Sequence, residues 1–219
     1  MDTSLDFRLA AAGLSLSHQR QQALPAPLRE LHQVILQEFT TRGRAPARTE
    51  LAPIAARLDL AVDAALADLA ASDLVIPGDD GEIHVAYPFS TTPTGHQVEL
   101  TGGPTVFAMC AIDALGIPAM TGRDATITAT DPANSIPLHI DTHAGQPHAR
   151  PADTVVSLAT TGQGGPNART CCPLINFHVS DQAARAYQDQ AGLPGTVLTL
   201  LEATEAATHL FGPLLHPDP

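Results

Sequence analysis

The stretch LVIPGDDGEIHVAY, residues 74–87, separates a part of the chain with a helical pattern from a part with a strand pattern. Apolar and alternating residues at 74–76 and 83–87 flank the turn sequence GDDG at 78–81, a pattern typical of a β-hairpin. Before the hairpin, apolar residues recur at three- and four-residue steps, as on one face of a helix; after it, β-branched stretches become frequent. The hairpin therefore joins a helical region to a region rich in strands.

Helices are predicted throughout the region before the hairpin. The first begins at Leu28, the second is capped by Thr49, and the third covers about residues 61–72. Three helices followed by a hairpin make up the winged-helix arrangement, so residues 28–87 are predicted to form a small winged-helix-like domain. The polar, glutamine-rich residues 1–27 are predicted to be a mobile N-terminal arm that includes one short helix.

The charge pattern argues against DNA binding by this region. Three arginines near the start of the second helix are suited to contact phosphate: Arg42, Arg44 and Arg48. The third helix, which would read the bases, carries carboxylates instead: Asp63, Asp68 and Asp73. These carboxylates would repel phosphate, and the chain as a whole has a net charge of −12. Specific nucleic-acid binding is therefore not expected, and a structural or covering role is favoured.

The composition indicates a globular protein without a disulfide framework. Of 219 residues, 44% are hydrophobic and 16% charged, a balance that argues against disorder. The N-terminus lacks the pattern of a secretion signal, and no apolar run approaches the ~18 residues of a membrane span. A cytoplasmic location without membrane binding is therefore expected, where cysteines stay reduced. The 3 cysteines, two of them adjacent, are predicted to serve chemistry or a soft metal.

Residues 88–219 are predicted to form an α+β domain with a mostly antiparallel sheet. The predicted strands lie at 98–100, 105–107, 124–130, 136–142, 154–158, 174–179 and 197–201. The predicted helices lie at 108–115, 181–191 and 202–210. Gly116 and Pro118 are expected to end the first of these helices.

Cys110 and Asp113 form the first candidate site. Their spacing places a thiol and a carboxyl group on one face of the predicted helix. Apolar neighbours would raise the pKa of the carboxyl group and favour its protonated form, so the two could act as nucleophile and acid. The alternative is structural, with Cys110 as a small buried hydrophobic residue and Asp113 exposed on the helix.

Two further clusters are candidates for metal binding. Cys171 and Cys172 follow a glycine-rich loop, and adjacent reduced thiols suit soft ions such as Hg(II), Cu(I) or Zn(II). The sequence contains no Cys-x-x-Cys motif that would support structural zinc. One face of a predicted strand carries a second set of ligands: His139, Asp141 and His143. The solvent-exposed face of a half-buried strand explains that set more simply and is favoured over a metal site.

Both cysteine-containing segments resemble the organomercurial (alkylmercury) lyases. The first segment is FAMCAIDALGIPA at 107–119, and the second is CPLINF at 172–177, followed by Ser180. The closing LFGP at 210–213 and the order of the segments agree as well, so the resemblance covers about residues 28–215. It implies an enzyme that cleaves carbon–mercury bonds by protonolysis and releases a hydrocarbon and Hg(II).

The resemblance also implies roles for individual residues. Cys110 matches the first mercury-binding cysteine, and Asp113 matches the catalytic acid, which is also a candidate mercury ligand. The second cysteine matches either Cys171 or Cys172. In the family an aromatic residue follows five positions later, and Phe177 has that spacing only from Cys172. Cys172 is therefore the expected second ligand, with Cys171 as a neighbour that helps capture or release metal.

Two positions depart from the family pattern. His178 stands where members often have a second aromatic residue, and Asp131 lies near the position of an additional structural cysteine found in some members. The first departure affects the shape of the pocket, and the second leaves the chemistry untouched. The resemblance implies no organic cofactor, because Hg(II) is a product that thiolates hold until small thiols or a mercuric reductase accept it. The alternative function is soft-metal (Hg or Cu) binding or sensing by a lyase-like fold that does not cleave.

Overall fold

The computed structural model describes residues 17–159, 165–193 and 195–216, and its first part is helical. The helices before the hairpin are α1 (Ser17–Gln22), α2 (Ala26–Arg42), α3 (Arg48–Arg57) and α4 (Val62–Ala71). The last three of them are the helices predicted from the sequence. Of the predicted N-terminal arm, residues 1–16 lie outside the described residues, and α1 is the short helix expected there.

The predicted cap of α3 is wrong. The helix begins at Arg48, so Thr49 lies within its first turn. The backbone N–H of Ala47 donates instead to the Glu50 carboxylate at 2.7 Å, and the same carboxylate accepts two hydrogen bonds from Arg44. A long side chain that reaches back along the helix thus supplies the hydrogen bond expected from the threonine hydroxyl.

The strands form two antiparallel sheets. The large sheet contains β1 (Val75–Pro77), β2 (Ile83–Ala86), β3 (Phe89–Ser90), β4 (His96–Leu100), β5 (Thr105–Ala108), β6 (Ala125–Thr130), β7 (Pro137–His143) and β8 (Gln146–Arg150), in the order β1-β2-β3-β5-β4-β6-β7-β8. The small sheet has β9 (Val155–Ala159) between β10 (Asn176–His178) and β11 (Gly195–Thr199). All these pairings are antiparallel, so the predicted mixed fold with a mostly antiparallel sheet is confirmed, although β3 and β8 were not predicted.

The predicted hairpin is present as β1 and β2, and it is continuous with the large sheet. β2 pairs with β3, and β3 pairs with β5. Phe39 of α2 stacks on Phe89 of β3 with ring centroids 4.7 Å apart, so the first helices pack on strands of this same sheet. The winged-helix assignment of residues 28–87 and the domain boundary at residue 88 stay predictions.

The central helix is α5 (Ala111–Thr121), and the predicted bounds 108–115 are wrong. The helix continues past Gly116 and Pro118, which were expected to end it. The ring of Phe211 occupies the space that a Cβ atom at Gly116 would need, so glycine here permits close packing of two helices. Burial of almost the whole helix outweighs the local tendency of glycine and proline to break it.

The remaining helical elements lie between residues 165 and 216. They are α6 (Asn167–Thr170), a 3₁₀ turn (Cys172–Leu174), α7 (Asp181–Ala191), α8 (Leu200–Phe211) and a second 3₁₀ turn (Gly212–Leu214). The strand predicted for 174–179 starts only at Asn176, because Pro173 favours the preceding 3₁₀ turn. In the part of the chain that the structure describes, every helix is too short or too polar to cross a membrane.

Candidate active site

Cys110 occupies the N-cap position of α5, between the end of β5 and the first turn of the helix. Its backbone is extended, and the N–H of Asp113 points at its sulfur at 3.5 Å. In return the Cys110 thiol donates a hydrogen bond to Asp113 Oδ2 at 2.7 Å. The two residues therefore interact reciprocally, as the partners of a capping box do, and the three-residue spacing brings their side chains together as predicted.

Cys172 reaches the same carboxyl group from the other segment. The N–H of Ala111 donates to the carbonyl oxygen of Ile175 at 3.1 Å, which joins the start of α5 to the chain just after Cys172. The Cys172 thiol then lies 3.8 Å from Asp113 Oδ2. The ligand atoms of Cys110, Asp113 and Cys172 all lie within 4.8 Å of one another. The structure therefore brings together the three residues that were predicted from the sequence.

Cys171 is adjacent to Cys172 in sequence, but its thiol makes a different hydrogen bond. Its thiol donates to the carbonyl oxygen of Asn167 at 3.5 Å, one turn back in α6. Like Cys172 it is a free, buried thiol, yet it is not one of the three residues whose ligand atoms converge. The sulfur positions therefore agree with the spacing argument that favoured Cys172.

All three groups of the cluster are buried, and burial shifts their pKa values. Cys110, Asp113 and Cys172 have exposed fractions of 0%, 3% and 3%, so the alternative with an exposed Asp113 is wrong. Burial raises the pKa of Asp113 to about 7 and that of Cys110 to about 12. The pKa of Cys172 is also raised, by its contacts with Cys110 and Cys171 and then by burial. The site thus holds two thiols beside a carboxyl group that gains and loses a proton near neutral pH.

The candidate set of metal ligands on β7 does not form a cluster among the described residues. His139 and His143 are exposed on β7, and Asp141 accepts hydrogen bonds from Thr126 and Arg150 at 2.9 and 2.8 Å. Among the described residues, the set Cys110, Asp113 and Cys172 is the one group of three that could hold a metal ion. The interpretation of the β7 face as a solvent-exposed sheet surface agrees with these contacts.

Sequence reasoning missed two features beside the site. Tyr87 lies at the end of the hairpin, and its phenol oxygen contacts the segment that leads to Cys172; no motif marks it. Asp131 and His178 were noted only as separate departures from the family pattern, yet they form a buried hydrogen bond of 2.9 Å. Ser157 continues this chain at 3.1 Å from the second ring nitrogen of His178. The sequence offered one clue to this pair, because both residues depart from the family pattern. His178 lies six residues after Cys172, and Asp131 directly follows β6, the strand after α5.

Two thiols and one carboxyl group in a single buried cluster could hold a soft metal ion. A sequence model of the alkylmercury lyases matches residues 89–212, which is more than half of the chain. The chain therefore belongs to the alkylmercury lyase family, and the resemblance inferred from the cysteine segments is confirmed.

Individual relatives agree with this assignment. Alkylmercury lyases from Streptomyces lividans and Staphylococcus epidermidis (strain ATCC 12228 / FDA PCI 1200) are each 28% identical, over 127 and 130 residues respectively. Each alignment spans 58% of this chain and 58% of the relative's length. The chain thus matches less than two thirds of these curated relatives.

The fold is also similar to that of a solved structure described as the mercury-bound form of MerB2. The TM-score is 0.74 with 22% sequence identity, and the match covers 91% of this chain and 97% of that chain. Because 91% is far more than the share in the family match, the similarity in fold extends into the helices before residue 89.

Proposed function

We propose that the protein is an organomercurial lyase that cleaves carbon–mercury bonds by protonolysis, giving a hydrocarbon and Hg(II). The observation that carries the proposal is the convergence of two thiols on one carboxyl oxygen: Cys110 at 2.7 Å and Cys172 at 3.8 Å from Asp113 Oδ2. Thiolate is the protein ligand that best suits soft Hg(II), and a carboxylic acid supplies the proton that carbon needs.

In the first step Cys110 captures the organomercurial. Its sulfur forms a bond to mercury, the small thiolate that brought the substrate leaves, and the thiol proton goes to that leaving thiolate. Cys110 sits at the N-terminus of α5, where the helix dipole favours a developing thiolate and offsets part of the effect of burial. The bound mercury then lies next to Asp113 and Cys172.

In the second step Cys172 binds mercury, and the carbon–mercury bond breaks. The thiol proton of Cys172 passes to Asp113, whose pKa of about 7 suits a group that both accepts and donates a proton near neutral pH. Asp113 donates that proton to carbon as the bond to mercury breaks. One hydrocarbon is released, and Hg(II) is left bound to two thiolates, so protons and charges balance over the two steps.

No organic cofactor takes part in this scheme. Hg(II) stays on Cys110 and Cys172, with Asp113 beside it, until small thiols or a mercuric reductase accept it. Such a reaction serves mercury detoxification and resistance inside the cell. DNA binding has no part in the scheme, and Arg44 and Arg48 are paired with the protein's own carboxylates, Glu50 and Asp63.

A second candidate function rests on the same thiols. Two buried cysteines also suit Cu(I), so a soft-metal binding or sensing protein without cleavage would need the same pair of ligands. The protonatable Asp113 favours the lyase, because binding alone does not need a carboxyl group hydrogen-bonded to a thiol. The two functions differ in whether hydrocarbon is formed.

The test is to incubate the protein with phenylmercury acetate and excess cysteine, and to measure benzene in the headspace by gas chromatography. A lyase releases one benzene per phenylmercury, and in D₂O the benzene carries one deuterium, because the proton comes from exchangeable groups. Stoichiometric mercury binding without benzene would show that the protein only binds soft metals. The Asp113→Asn variant serves as the control for slow release by free thiols.

A further inference from the structure

The residues Tyr87 and Pro88 lie between the two cysteine segments and contact both. The phenol oxygen of Tyr87 accepts a hydrogen bond from the N–H of Ala168 at 2.6 Å, in the short helix α6 that leads into Cys172. The carbonyl oxygen of Pro88 accepts one from the N–H of Met109 at 3.1 Å, directly before Cys110. Two consecutive residues after the hairpin therefore link the backbones on either side of the site.

Tyr87 is itself firmly placed. Its exposed fraction is 3%, and its backbone N–H donates to the carbonyl oxygen of Leu74 at 3.1 Å. Burial raises the pKa of its phenol, and nearby Cys172 and Asp73 raise it further in their charged forms. Tyr87 is thus a buried, neutral side chain that lies close enough to Cys172 for the two groups to interact electrostatically.

A second side chain from the helical region holds the same short helix. Asp73 follows α4, and its Oδ2 accepts a hydrogen bond from the N–H of Asn167 at 3.3 Å. The same oxygen accepts one from Arg20 of α1 at 2.7 Å. The first two backbone N–H groups of α6 are therefore bound by Asp73 and Tyr87, both of which precede the region matched by the family model.

The helix α6 depends on these contacts for its position. It has four residues, and none of them is buried. A single turn is unstable in isolation, because the cost of nucleation is not repaid by so few hydrogen bonds. Cys172 follows two residues after α6, so a displacement of the helix would displace the Cys172 sulfur. Cys110 is held by its place between β5 and α5, which does not depend on the contacts of α6.

We propose that Tyr87 is a positioning residue: by holding α6 it keeps the Cys172 thiol next to Asp113, and Asp73 supports it as a second anchor. The effect of this positioning on catalysis rests on the proposed function. It assigns to the helical region before residue 89 a part in the site, in line with the structural or covering role expected from the sequence. Loss of the phenol oxygen should loosen the Cys172 segment and leave Cys110 in place.

Differential alkylation of the thiols tests this without relying on turnover. The chain has no lysine, so trypsin cleaves only after arginine and separates Cys110 (in residues 58–123) from Cys171 and Cys172 (in residues 170–185). The folded Tyr87→Phe protein is treated with iodoacetamide for increasing times, digested and analysed by mass spectrometry. Labelling at residues 170–185 should be about fivefold faster than in the wild type, the change expected when one net hydrogen bond is lost from an opening equilibrium.

Labelling of Cys110 should stay at the wild-type rate, and this selectivity separates positioning from general loss of stability. The matched control is Tyr187→Phe, which removes the chain's other phenol oxygen and should change neither rate. Asp73→Asn keeps a carbonyl-type acceptor for α6 but weakens the bond to Arg20, so it should give a smaller increase in the same peptide. Equal acceleration in both peptides, or none in either, would overturn the proposal.

Single-turnover kinetics then test whether the position of Cys172 affects the rate of carbon–mercury cleavage. In a single turnover with phenylmercury, Tyr87→Phe should bind one equivalent of mercury but release benzene about fivefold more slowly than the wild type, because the fraction of correctly placed Cys172 falls. If the wild-type protein releases no benzene, the proposed function fails, and the labelling ratio still decides whether Tyr87 holds the segment. Wild-type release by a variant with loosened Cys172 would contradict the catalytic part of the inference.

Discussion

Asp113 and Asp131 are both buried in this protein, but they accept hydrogen bonds from different kinds of donor. Asp131, fully buried, accepts hydrogen bonds from the backbone N–H groups of Ala133 and Val179 at 2.8 and 2.9 Å and from the Asn134 side chain at 3.2 Å. Among the described residues, the Asp113 carboxyl group accepts hydrogen bonds from two thiols, those of Cys110 and Cys172. Amide N–H groups are strong donors, and thiols are weak ones.

The difference shows how one fold uses the same residue type for structure and for chemistry. Several N–H donors compensate the lost hydration of the buried Asp131 side chain, which joins two chain segments, 131–134 and 178–179. Thiols compensate less, and burial therefore raises the pKa of Asp113 to about 7. A carboxyl group with few N–H donors is thus able to hold and release a proton, as the proposed reaction requires.

The surroundings of Asp131 also account for both departures from the family pattern. The carboxylate can only accept, so the proton on His178 is assigned to Nδ1, which faces Asp131 at 2.9 Å; Nε2 then accepts from the Ser157 hydroxyl at 3.1 Å. Burial lowers the pKa of His178, in agreement with a neutral ring. The aspartate and the histidine are therefore partners, and each explains the presence of the other.

Removing the thiols that contact Asp113 should have the largest effect. Cys110→Ala and Cys172→Ala should each bring benzene release from phenylmercury below detection, because a single thiolate cannot both capture the substrate and displace the carbon. Cys171→Ala is the matched control and should retain most of the activity, since its thiol contacts Asn167 and not Asp113. Activity in Cys172→Ala together with none in Cys171→Ala would show that the other sulfur is the second ligand.

Exchanging each aspartate for asparagine tests the comparison directly. Asp113→Asn should still bind the organomercurial through the thiols but release hydrocarbon about 10²–10⁴-fold more slowly, because an amide cannot donate the proton. Asp131→Asn should show the reverse: the folded protein keeps its rate of release, while its melting temperature falls. Mercury retention and benzene release are measured on the same samples. Retained binding with wild-type release in Asp113→Asn would exclude the acid role.

Stability should respond most strongly at Asp131. Asp131→Ala leaves several buried N–H groups without a partner and should lower the free energy of unfolding by about 3–5 kcal/mol. His178→Phe removes one of these partners and should cost about 1–3 kcal/mol. The double variant Asp131→Ala/His178→Phe should cost less than the sum of the two single changes, because the two side chains contact each other. Urea titrations provide the values, and strict additivity would show that the two residues are not coupled.

The sequence predicted the reactive cluster because its residues lie in short segments with diagnostic spacing. Cys110 and Asp113 are three residues apart, and the spacing from Cys172 to Phe177 favoured Cys172, whose ligand atom lies within 4.8 Å of those of Cys110 and Asp113. Where local signals compete with packing, prediction failed: α5 continues past Gly116 because the ring of Phe211 requires a residue without a side chain there. A local breaking tendency is about 1 kcal/mol for glycine, which the burial of a central helix easily exceeds.

The contacts that support the cluster were beyond prediction for a different reason. The hydrogen bond between Tyr87 and Ala168 spans 81 positions, and that between Asp131 and His178 spans 47. Such pairs depend on how the hairpin, the large sheet and the small sheet are placed, and no spacing rule within one segment reports this. The overall class of fold was predictable from alternating and helical patterns, whereas these pairings follow only from the assembled structure.

We also expect the contribution of Asp113 to stability to depend on pH. Burial holds the pKa of Asp113 at about 7 in the folded protein, above the ordinary carboxyl value, so the folded state binds this proton more tightly than the unfolded state. The stabilisation is fully present below the unfolded pKa, near about pH 4, and is lost as the pH rises through about 7. Asparagine does not titrate, so Asp113→Asn should become more stable relative to the wild type as the pH rises.

The expected gain of Asp113→Asn over the wild type between about pH 5 and about pH 8 is about 2–3 kcal/mol in the free energy of unfolding. Comparing the two proteins at each pH cancels every other group that titrates in both. A difference in stability that does not change with pH would show that Asp113 ionises as an ordinary carboxyl group, and the contrast with Asp131 would then lose its physical basis.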